Sequence, residues 1–418
     1  MPNVIEEKNL IFAEVGQNSN KFYRLQLLDD DSILAVYGRV GITEQRTSYT
    51  GGRTFFEKQI RAKLKKGYTE LKVVSGGSAV TTSTVANGDL GAIAKRQILK
   101  TSNPELDKLI DRLVKANIHK ITSSTSLTYN NTTGLFQSPL GVVLPEAISD
   151  ARNLLVTIKQ RVEKGDYKSA EFITAVNGYL RLIPTRAGMR LRPEVIFPDD
   201  AAIQAQGDIL DSLEASYKAL QRPTPSSSSQ NDEKVFDVEL DILNDDSERQ
   251  RISKWFHSSN HRIHGYGSVK IANFFKVKIK NNWDNFASSL GNVTEVFHST
   301  SESNLLSILK SGLKVSPPST TYLSGAMFDR GHYGAIDSSK SLQYTFGRFG
   351  GRVGESGWTF VAEFAMGNTF FIKTYGGTLA KGYDSIWAKA NLTGLRFDEL
   401  IVPTDRQCRL KYLLEVKK

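Results

Sequence analysis

Two low-complexity stretches limit what this 418-residue chain can form, because each interrupts any continuous hydrophobic core. SGGSAVTTSTVANGDLG, at 75–91, is rich in glycine, serine and threonine, and RPTPSSSSQNDEK, at 222–234, is rich in proline and serine. Both compositions are typical of flexible linkers. They leave pieces of about 75, 130 and 185 residues, each of ordinary domain size. We therefore predict domains at 1–75, 95–222 and 235–418, with linkers at 76–94 and 223–234.

The first piece has the pattern of a small sheet with one helix. KFYRLQLL alternates in polarity, DDDS predicts a turn, and ILAVYGRVG is a second apolar strand. TSYTGG then interrupts the strand pattern before RTFFEKQIRAKLKKGY. That segment has an apolar helical face (Phe56, Ile60 and Leu64) and a basic one (Lys58, Arg61 and Lys65). We predict a helix laid across the sheet.

The middle piece is predicted to be all helical. Asn103 is a candidate N-cap and Pro104 takes the first helical position. Apolar residues then recur at intervals of three and four in four segments, with leading members Leu106, Ile148, Phe172 and Ile203. Four amphipathic helices predict a bundle. No catalytic constellation is visible in it, so its role is structural, regulatory or both.

The last piece returns to strands, in GWTFVAEFAMG, RFDELIV and CRLKYLLEV. Alternation places Glu399 on one face with Phe397 and Ile401, which are both apolar. A carboxylate is costly on such a face. Either the strand end is open to solvent there, or Glu399 is kept for its chemistry.

Composition and single residues exclude several kinds of site. With one cysteine, Cys408, the chain can form neither an internal disulfide nor a cysteine-based zinc site. HSSNHRIH holds His257, His261 and His264 at spacings of four and three, but no carboxylate lies among them, so we disfavour a metal site. We find no signal peptide and no apolar run long enough for a bilayer, and expect a reducing compartment and no membrane partner. The net charge of +10 favours a polyanionic partner.

The stretch VFHSTSESNLLSILKSGL, at 296–313, places His298 between a strand-like run and a helix that ends at Gly312. By itself this histidine could be a metal ligand, a proton shuttle, a substrate-binding donor or a structural residue. Two later segments add a pair of tyrosines and Glu399. Such a set suits gripping a flat, cationic aromatic leaving group and stabilising an oxocarbenium-like sugar.

These residues resemble the catalytic domain of the poly(ADP-ribose) polymerases. That family has a His-Gly-Ser element, a G-x-Y-F-A element that runs into S-K-S-x-x-Y, and a glutamate opening a strand that leads to L-K-Y-L-L. The matching stretches are His298-Ser299-Thr300, Gly331-His332-Tyr333-Gly334-Ala335, Ser339-Lys340-Ser341-Leu342-Gln343-Tyr344, and Glu399 with LKYLL. HSSNHRIH resembles a histidine-bearing stretch that opens that domain, which favours a structural role for its histidines.

The resemblance extends over nearly the whole chain. YGRVGITEQRTSYTGGRTFFEKQIRAK is similar to a WGR domain, which binds DNA ends, and LRLIPTRAGM and PLGVVLPEAISDARNLL are similar to the family's helical regulatory domain. The implied fold is an α+β multidomain chain. It comprises a small β-sheet/helix WGR domain, an all-α regulatory (autoinhibitory) bundle and an antiparallel-β ADP-ribosyltransferase catalytic domain.

The resemblance also implies roles for single residues, with NAD+ as substrate and no metal. His298 would hold hydroxyls of the adenine-side ribose, as a donor. Backbone groups of Ser299, next to Thr300, and the hydroxyl of Ser341 would grip the nicotinamide amide. Tyr344 would stack on the nicotinamide ring and Tyr333 would close the other side. Glu399 would bind the nicotinamide-ribose 2′-hydroxyl, stabilise the transition state and help to polarise the acceptor.

The sequence departs from the family pattern in four places. Ser299 replaces a glycine, Tyr37 replaces the tryptophan of the WGR run, and Gly334 replaces an aromatic residue. The stretch from Lys389 to Asp398 is short where many polymerases have a long loop that shapes the acceptor site. This departure counts against long-chain synthesis, whereas the His-Tyr-Glu set favours it. Ser299 and Gly334 favour a catalytically weak scaffold that binds DNA ends.

The leading hypothesis is a poly(ADP-ribose) polymerase that DNA breaks activate and that modifies protein acceptors, itself included, in the DNA damage response. The alternatives are a mono-ADP-ribosyltransferase and the weak scaffold. The candidate DNA contacts are Tyr37, Gly38, Arg39, Arg53, Lys58 and Arg61, although a generic lysine run is more often a solvated helix face. We expect a nuclear location in a eukaryote and a cytoplasmic, DNA-associated one otherwise.

Overall fold

The computed structural model describes most residues of the chain. They are 2–42, 44–71, 90–99, 103–130, 136–138, 141–185, 190–199, 202–203, 205–207, 209–211, 213–214, 236–261, 265–315, 327–346, 356–374 and 376–418. The predicted linker at 223–234 and residues 76–89 of the other lie outside them. The chain divides into two compact units. The first unit is Met1–Leu90, Ile118–Ser229 and Thr320–Tyr322, and the second is Gly91–Asn117, Gln230–Ser319 and Leu323–Lys418.

The first unit begins with a five-stranded antiparallel sheet and a helix, as predicted. The strands are β1 (Val4–Glu14), β2 (Ser19–Leu28), β3 (Ile33–Arg39), β4 (Gln45–Tyr49) and β5 (Thr69–Glu70), in the order β4-β3-β2-β1-β5. Helix α1 (Gly52–Lys65) follows Gly51, whose φ of 121° explains why the break before the helix contains glycine. Phe56 is buried under α1 with Leu10 and Tyr23 of the sheet.

Helices dominate the middle of the chain. They are α2 (Leu90–Ile98), α3 (Pro104–Ser124), α4 (Pro145–Glu163), α5 (Ala170–Leu182) and α6 (Pro193–Ile196), and the described residues between 202 and 214 are helical too. The piece is not purely helical, because β6 (Thr128–Tyr129), β7 (Phe136–Ser138) and β8 (Gly141–Val142) form a small antiparallel sheet.

The described residues of the predicted helical stripes are buried. Ile148, Phe172 and Ile203, from three of the four stripes, belong to one hydrophobic core of the first unit. Asn103 caps α3 as predicted, since its Oδ1 accepts a hydrogen bond from the amide of Glu105 at 2.9 Å.

Two sheets form the second unit. The larger contains β9 (Val238–Ile242), β10 (Lys270–Ile279), β11 (Val293–Thr300), β13 (Ser356–Ala365) and β17 (Cys408–Lys417), all antiparallel, in the order β11-β13-β17-β10-β9. The smaller contains β12 (His332–Gly334), β14 (Thr369–Ile372), β15 (Ser385–Ala388) and β16 (Glu399–Val402), in the order β12-β16-β15-β14. Only its β14–β15 pair departs from the antiparallel pattern predicted for this domain.

Five helices among the described residues connect the strands of the two sheets. They are α7 (Asp246–Ser258), α8 (Lys280–Asp284), α9 (Glu302–Ser311), α10 (Ser338–Phe346) and α11 (Ala390–Thr393). Phe256 of α7 and Leu342 of α10 pack with Phe297, Val361 and Leu414 of the sheet. No helix among the described residues has the length and hydropathy needed to cross a bilayer.

Candidate active site

The short strand β12 brings the predicted site residues together. On one side Phe297 of β11 exchanges both backbone hydrogen bonds with Ala335, at 2.8 and 3.1 Å. On the other side Tyr333 lies opposite Ile401 of β16. The end of β11, with His298, is thereby held beside the strand that begins at Glu399.

His298 is fixed through its ring. Its Nδ1 lies 2.9 Å from the backbone carbonyl oxygen of Tyr333. Burial lowers the pKa of His298, the Tyr333 carbonyl opposes that effect, and nearby His332 adds to it. A carbonyl can only accept, so Nδ1 carries the hydrogen and the neutral ring leaves Nε2 as an acceptor. The resemblance implies a donor here; the neutral ring presents an acceptor for a ribose hydroxyl instead.

Ser299 is accommodated where the family has glycine. It lies within β11 and its φ is not positive, so glycine's conformational freedom is not needed there. Its buried hydroxyl is 2.5 Å from that of Thr359, which lies opposite on β13. Ser341 donates to the carbonyl of Phe297 at 2.8 Å, which ties α10 to β11.

Both tyrosines remain phenols. The hydroxyl of Tyr333 donates to the carbonyl of Asp329 at 2.6 Å and accepts from the amide of Phe328 at 3.0 Å, which fixes the ring. Burial raises the pKa of Tyr333 and of Tyr344, and the charge of Glu399 raises both further. The two rings therefore supply flat, uncharged surfaces.

Glu399 is buried, with only 4% of the residue exposed. Its Oε1 is 2.7 Å from the Nζ of Lys340 on α10, while Oε2 is buried without a hydrogen-bond partner among the described residues. Lys340 thus holds one oxygen in place, and the other keeps an unused capacity to accept a hydrogen bond. Sequence reasoning missed Lys340, although it stands in the S-K-S motif directly before Ser341.

In the histidine stretch at the start of this domain, the ring of His261 makes two contacts. His261 Nε2 lies 2.8 Å from Asp337 Oδ1, and its ring stacks on Phe397 with centroids 5.5 Å apart. His264 lies outside the described residues. Among those described, no group of three potential ligands for a metal ion is found.

The candidate DNA-binding residues lie on two elements of the first unit, α1 and β3. Arg53 and Arg61 pair with Glu6 and Glu57, at 2.7 and 3.5 Å, on the exposed surface. Lys58 is exposed on the same helix, α1.

The candidates on β3 contact other residues of the first unit. Tyr37 stacks on Tyr23, with centroids 5.7 Å apart. Gly38 separates it from Arg39, which donates to the carbonyl and Oδ1 of Asn18 at 2.8 and 3.0 Å. Asn18 Oδ1 also accepts from the amide of Leu191, at 2.7 Å. Arg39 therefore lies where the sheet meets the helical segment of the first unit.

Comparison with known proteins agrees with this geometry. Residues 246–404 match the model of the poly(ADP-ribose) polymerase catalytic domain, and residues 7–74 match that of the WGR domain. Both resemblances predicted from the sequence are confirmed.

Relatives align with nearly all of the chain. It is 24% identical to chicken poly(ADP-ribose) polymerase 1, over 99% of this chain and 46% of that protein. It is 24% identical to human poly(ADP-ribose) polymerase 2, over 99% of this chain and 79% of that protein. It is also 24% identical to the human protein mono-ADP-ribosyltransferase PARP3, over 97% of this chain and 86% of that protein. The chain thus spans about half the length of the chicken relative.

Proposed function

We propose that this chain, which carries a WGR domain and a poly(ADP-ribose) polymerase catalytic domain, is an NAD+-dependent ADP-ribosyltransferase that DNA breaks activate. The observation that carries the proposal is Glu399. It is a buried carboxylate with one oxygen held by Lys340 and the other unpartnered among the described residues, on the strand next to β12.

The reaction breaks the bond between the nicotinamide nitrogen and the ribose C1. The bonding electrons leave with nicotinamide, and the sugar develops positive charge. Glu399 stabilises that charge and binds the 2′-hydroxyl, while Tyr333 and Tyr344 hold the departing ring. An acceptor oxygen then forms the new bond to C1 and releases its proton. Repetition on earlier products gives a polymer; a single transfer to protein is the alternative outcome.

The carboxamide group of nicotinamide would bind beside the end of β11. The backbone of Ser299 and the hydroxyl of Ser341 are assigned to it, and Thr300 completes the NAD+-binding set. Ser341 now donates to Phe297, so NAD+ binding requires its hydroxyl to accept a new partner or exchange this one. His298 Nε2 accepts from a hydroxyl of the adenine-side ribose.

For regulation, we assign residues 1–75 to DNA capture and 95–222 to an autoinhibitory helical domain, with linkers at 76–94 and 223–234. Contacts inside the first unit support this assignment. The amide of Val15 donates to Asn177 Oδ1 at 2.8 Å, and Arg181 donates to the carbonyl of Ala13 at 3.2 Å. DNA held by the WGR sheet would act on α5 through them and relieve a restraint on NAD+ turnover. Such a switch requires a few kcal/mol.

The partners we propose are DNA with strand breaks or ends and protein acceptors, this chain included. The positive charge of the whole chain supports salt-sensitive DNA binding. In a eukaryotic cell we place the protein in the nucleus. In any other cell we place it in the cytoplasm, on DNA.

The test is incubation with labelled NAD+, with and without nicked or blunt DNA, beside Glu399→Gln. The control is Glu363→Gln, a partly buried glutamate, which pairs with Lys411 at 2.9 Å on the large sheet. DNA-stimulated label of high molecular weight, lost only in Glu399→Gln, supports a break-activated polymerase. One discrete labelled band identifies a mono-transferase. DNA binding without nicotinamide release under any condition overturns the proposal in favour of a scaffold.

A further inference from the structure

Asp329 adopts a backbone conformation that is rare for a residue with a side chain. Its φ is 114°. Apart from the glycines, only three other described residues have a positive φ, at 48–62°: Asn18, Asp31 and Asn292. Such a conformation is strained for a residue that has a Cβ, and it persists only where the surrounding contacts impose it. The contacts of Asp329 all lie beside β12, next to Tyr333.

The turn that contains Asp329 holds the hydroxyl of Tyr333 between two backbone groups. The hydroxyl donates to the carbonyl of Asp329 at 2.6 Å and accepts from the amide of Phe328 at 3.0 Å. The bond whose rotation φ describes lies between that amide and that carbonyl. At an ordinary negative φ the two groups would point in different directions. The unusual conformation is therefore what lets one hydroxyl bind both of them.

The side chain of Asp329 holds this conformation in place. Its Oδ1 accepts from the amide of Arg330 at 2.7 Å, and its Oδ2 accepts from the amide of Leu379 at 3.0 Å. Carboxylate oxygens are strong hydrogen-bond acceptors. Leu379 lies between β14 and β15, and it packs with Tyr333 against the core cluster that contains Phe328. The carboxylate therefore ties the turn to a second segment that surrounds the same ring.

We propose that Asp329 is a positioning residue for the nicotinamide end of NAD+. It holds the hydroxyl of Tyr333 and so fixes the tilt of the ring that closes one side of the nicotinamide. The backbone of Tyr333 is held separately, by the pairing of β12 with β16. Asp329 should therefore act on nicotinamide and leave the ADP-ribose part, bound at His298, unaffected. The inference rests on the proposed function, because it concerns that substrate.

Three variants separate this role from its rival, in which Asp329 only closes the turn. Asp329→Gly removes the side chain without straining the backbone, because glycine adopts a positive φ readily, so the variant should fold. Tyr333→Phe keeps the ring and removes only the hydroxyl that Asp329 holds. Asn292→Gly is the matched control. Asn292 also has a positive φ, of 48°, and its side chain donates to the carbonyl of Gly367 at 3.3 Å, but it lies before β11, at the opposite end from His298.

The measurements are the Kd of nicotinamide and the Kd of ADP-ribose, by calorimetry on the full chain with nicked DNA present, and the melting temperature. We expect Asp329→Gly and Tyr333→Phe each to raise the Kd of nicotinamide about five-fold, because the ring loses one hydrogen-bonded restraint. The Kd of ADP-ribose should not change. Since both variants release the same ring, the double variant should bind nicotinamide no more weakly than either single variant. Asn292→Gly should change neither Kd.

An unchanged nicotinamide Kd in either single variant, an equal weakening of both ligands, or additive effects in the double variant overturns the positioning role. A lower melting temperature with unchanged Kd values is the result of the structural role. A wild-type chain that binds nicotinamide and ADP-ribose but releases no nicotinamide from NAD+ overturns the proposed function instead, while the Kd values still decide the role of Asp329. A wild-type chain that binds neither ligand overturns both.

Discussion

Lys340 and Glu399 form a buried ion pair, and replacing each partner should have a different main effect. Lys340→Met should lose more stability, whereas Glu399→Gln should lose more turnover. Removing one partner of a buried ion pair leaves the other charge uncompensated, at a cost of about 3–5 kcal/mol when both are deeply buried. Glu399 is the more buried partner, since its side chain is 6% exposed and that of Lys340 is 17% exposed. Lys340→Met therefore leaves the buried Glu399 carboxylate without its partner and away from water. We expect about 3 kcal/mol of destabilisation.

Glu399→Gln instead removes the ion-pair partner of Lys340, which can turn its ammonium group toward solvent. We expect a loss of only about 1 kcal/mol, because the amide oxygen still accepts a hydrogen bond from it. Its effect on turnover should be far larger. Losing a preorganised charge at the reacting centre lowers kcat by about 10²–10³-fold. Lys340→Met retains the carboxylate and should lower kcat by only about 10-fold.

Tryptophan fluorescence during denaturant unfolding measures the stability of the second unit alone. All four tryptophans, Trp255, Trp283, Trp358 and Trp387, belong to it. The double variant removes both charges and should be more stable than Lys340→Met alone. Equal stability of the two single variants, additive effects in the double variant, or a wild-type kcat in Glu399→Gln would each refute this reasoning.

Three further predictions follow from the contacts described above. Asn177→Leu removes the hydrogen bond to Val15, so DNA stimulation of nicotinamide release should fall while DNA affinity, measured by anisotropy, stays the same. Thr359→Val leaves the Ser299 hydroxyl buried without its partner, so unfolding by denaturant should show a loss of about 1–2 kcal/mol that Ser299→Gly in the same chain largely restores. Burial lowers the pKa of His298 from 6.5, so the unfolded chain binds its proton first as the pH falls. The stability due to the neutral ring is then present above pH 6.5 and lost below it, and His298→Gln should reduce that slope in unfolding measured between pH 7 and pH 5. An unchanged dependence of stability on pH in His298→Gln would contradict the assignment of a neutral, buried His298 ring.

Local features of the chain were predictable because their causes are local. Asn103 followed by Pro104 gave the start of α3, and the apolar spacing after Phe172 gave the buried face of α5. The short strands β6 to β8 were missed, since strands of two or three residues carry too few alternations to be recognised.

The candidate site was only partly predictable. Motif spacing singled out His298, Tyr333 and Glu399, but it gave no reason for a carboxylate on an apolar strand face. The structure supplies that reason, because Lys340, 59 positions earlier in the chain, pairs with it across two elements. The ring geometry of His298 likewise depends on the carbonyl of Tyr333, which a strand pairing brings within reach.

The sequence by itself determined which residues share a helix or strand face, where several elements begin, and which motifs carry the chemistry. Only the tertiary structure decided which faces meet. Arg112 and Glu415 are separated by 303 positions, yet they form one ion pair over Trp358. Periodicity specifies the side of an element from which a residue projects, whereas a pairing across the fold depends on how all the intervening elements pack.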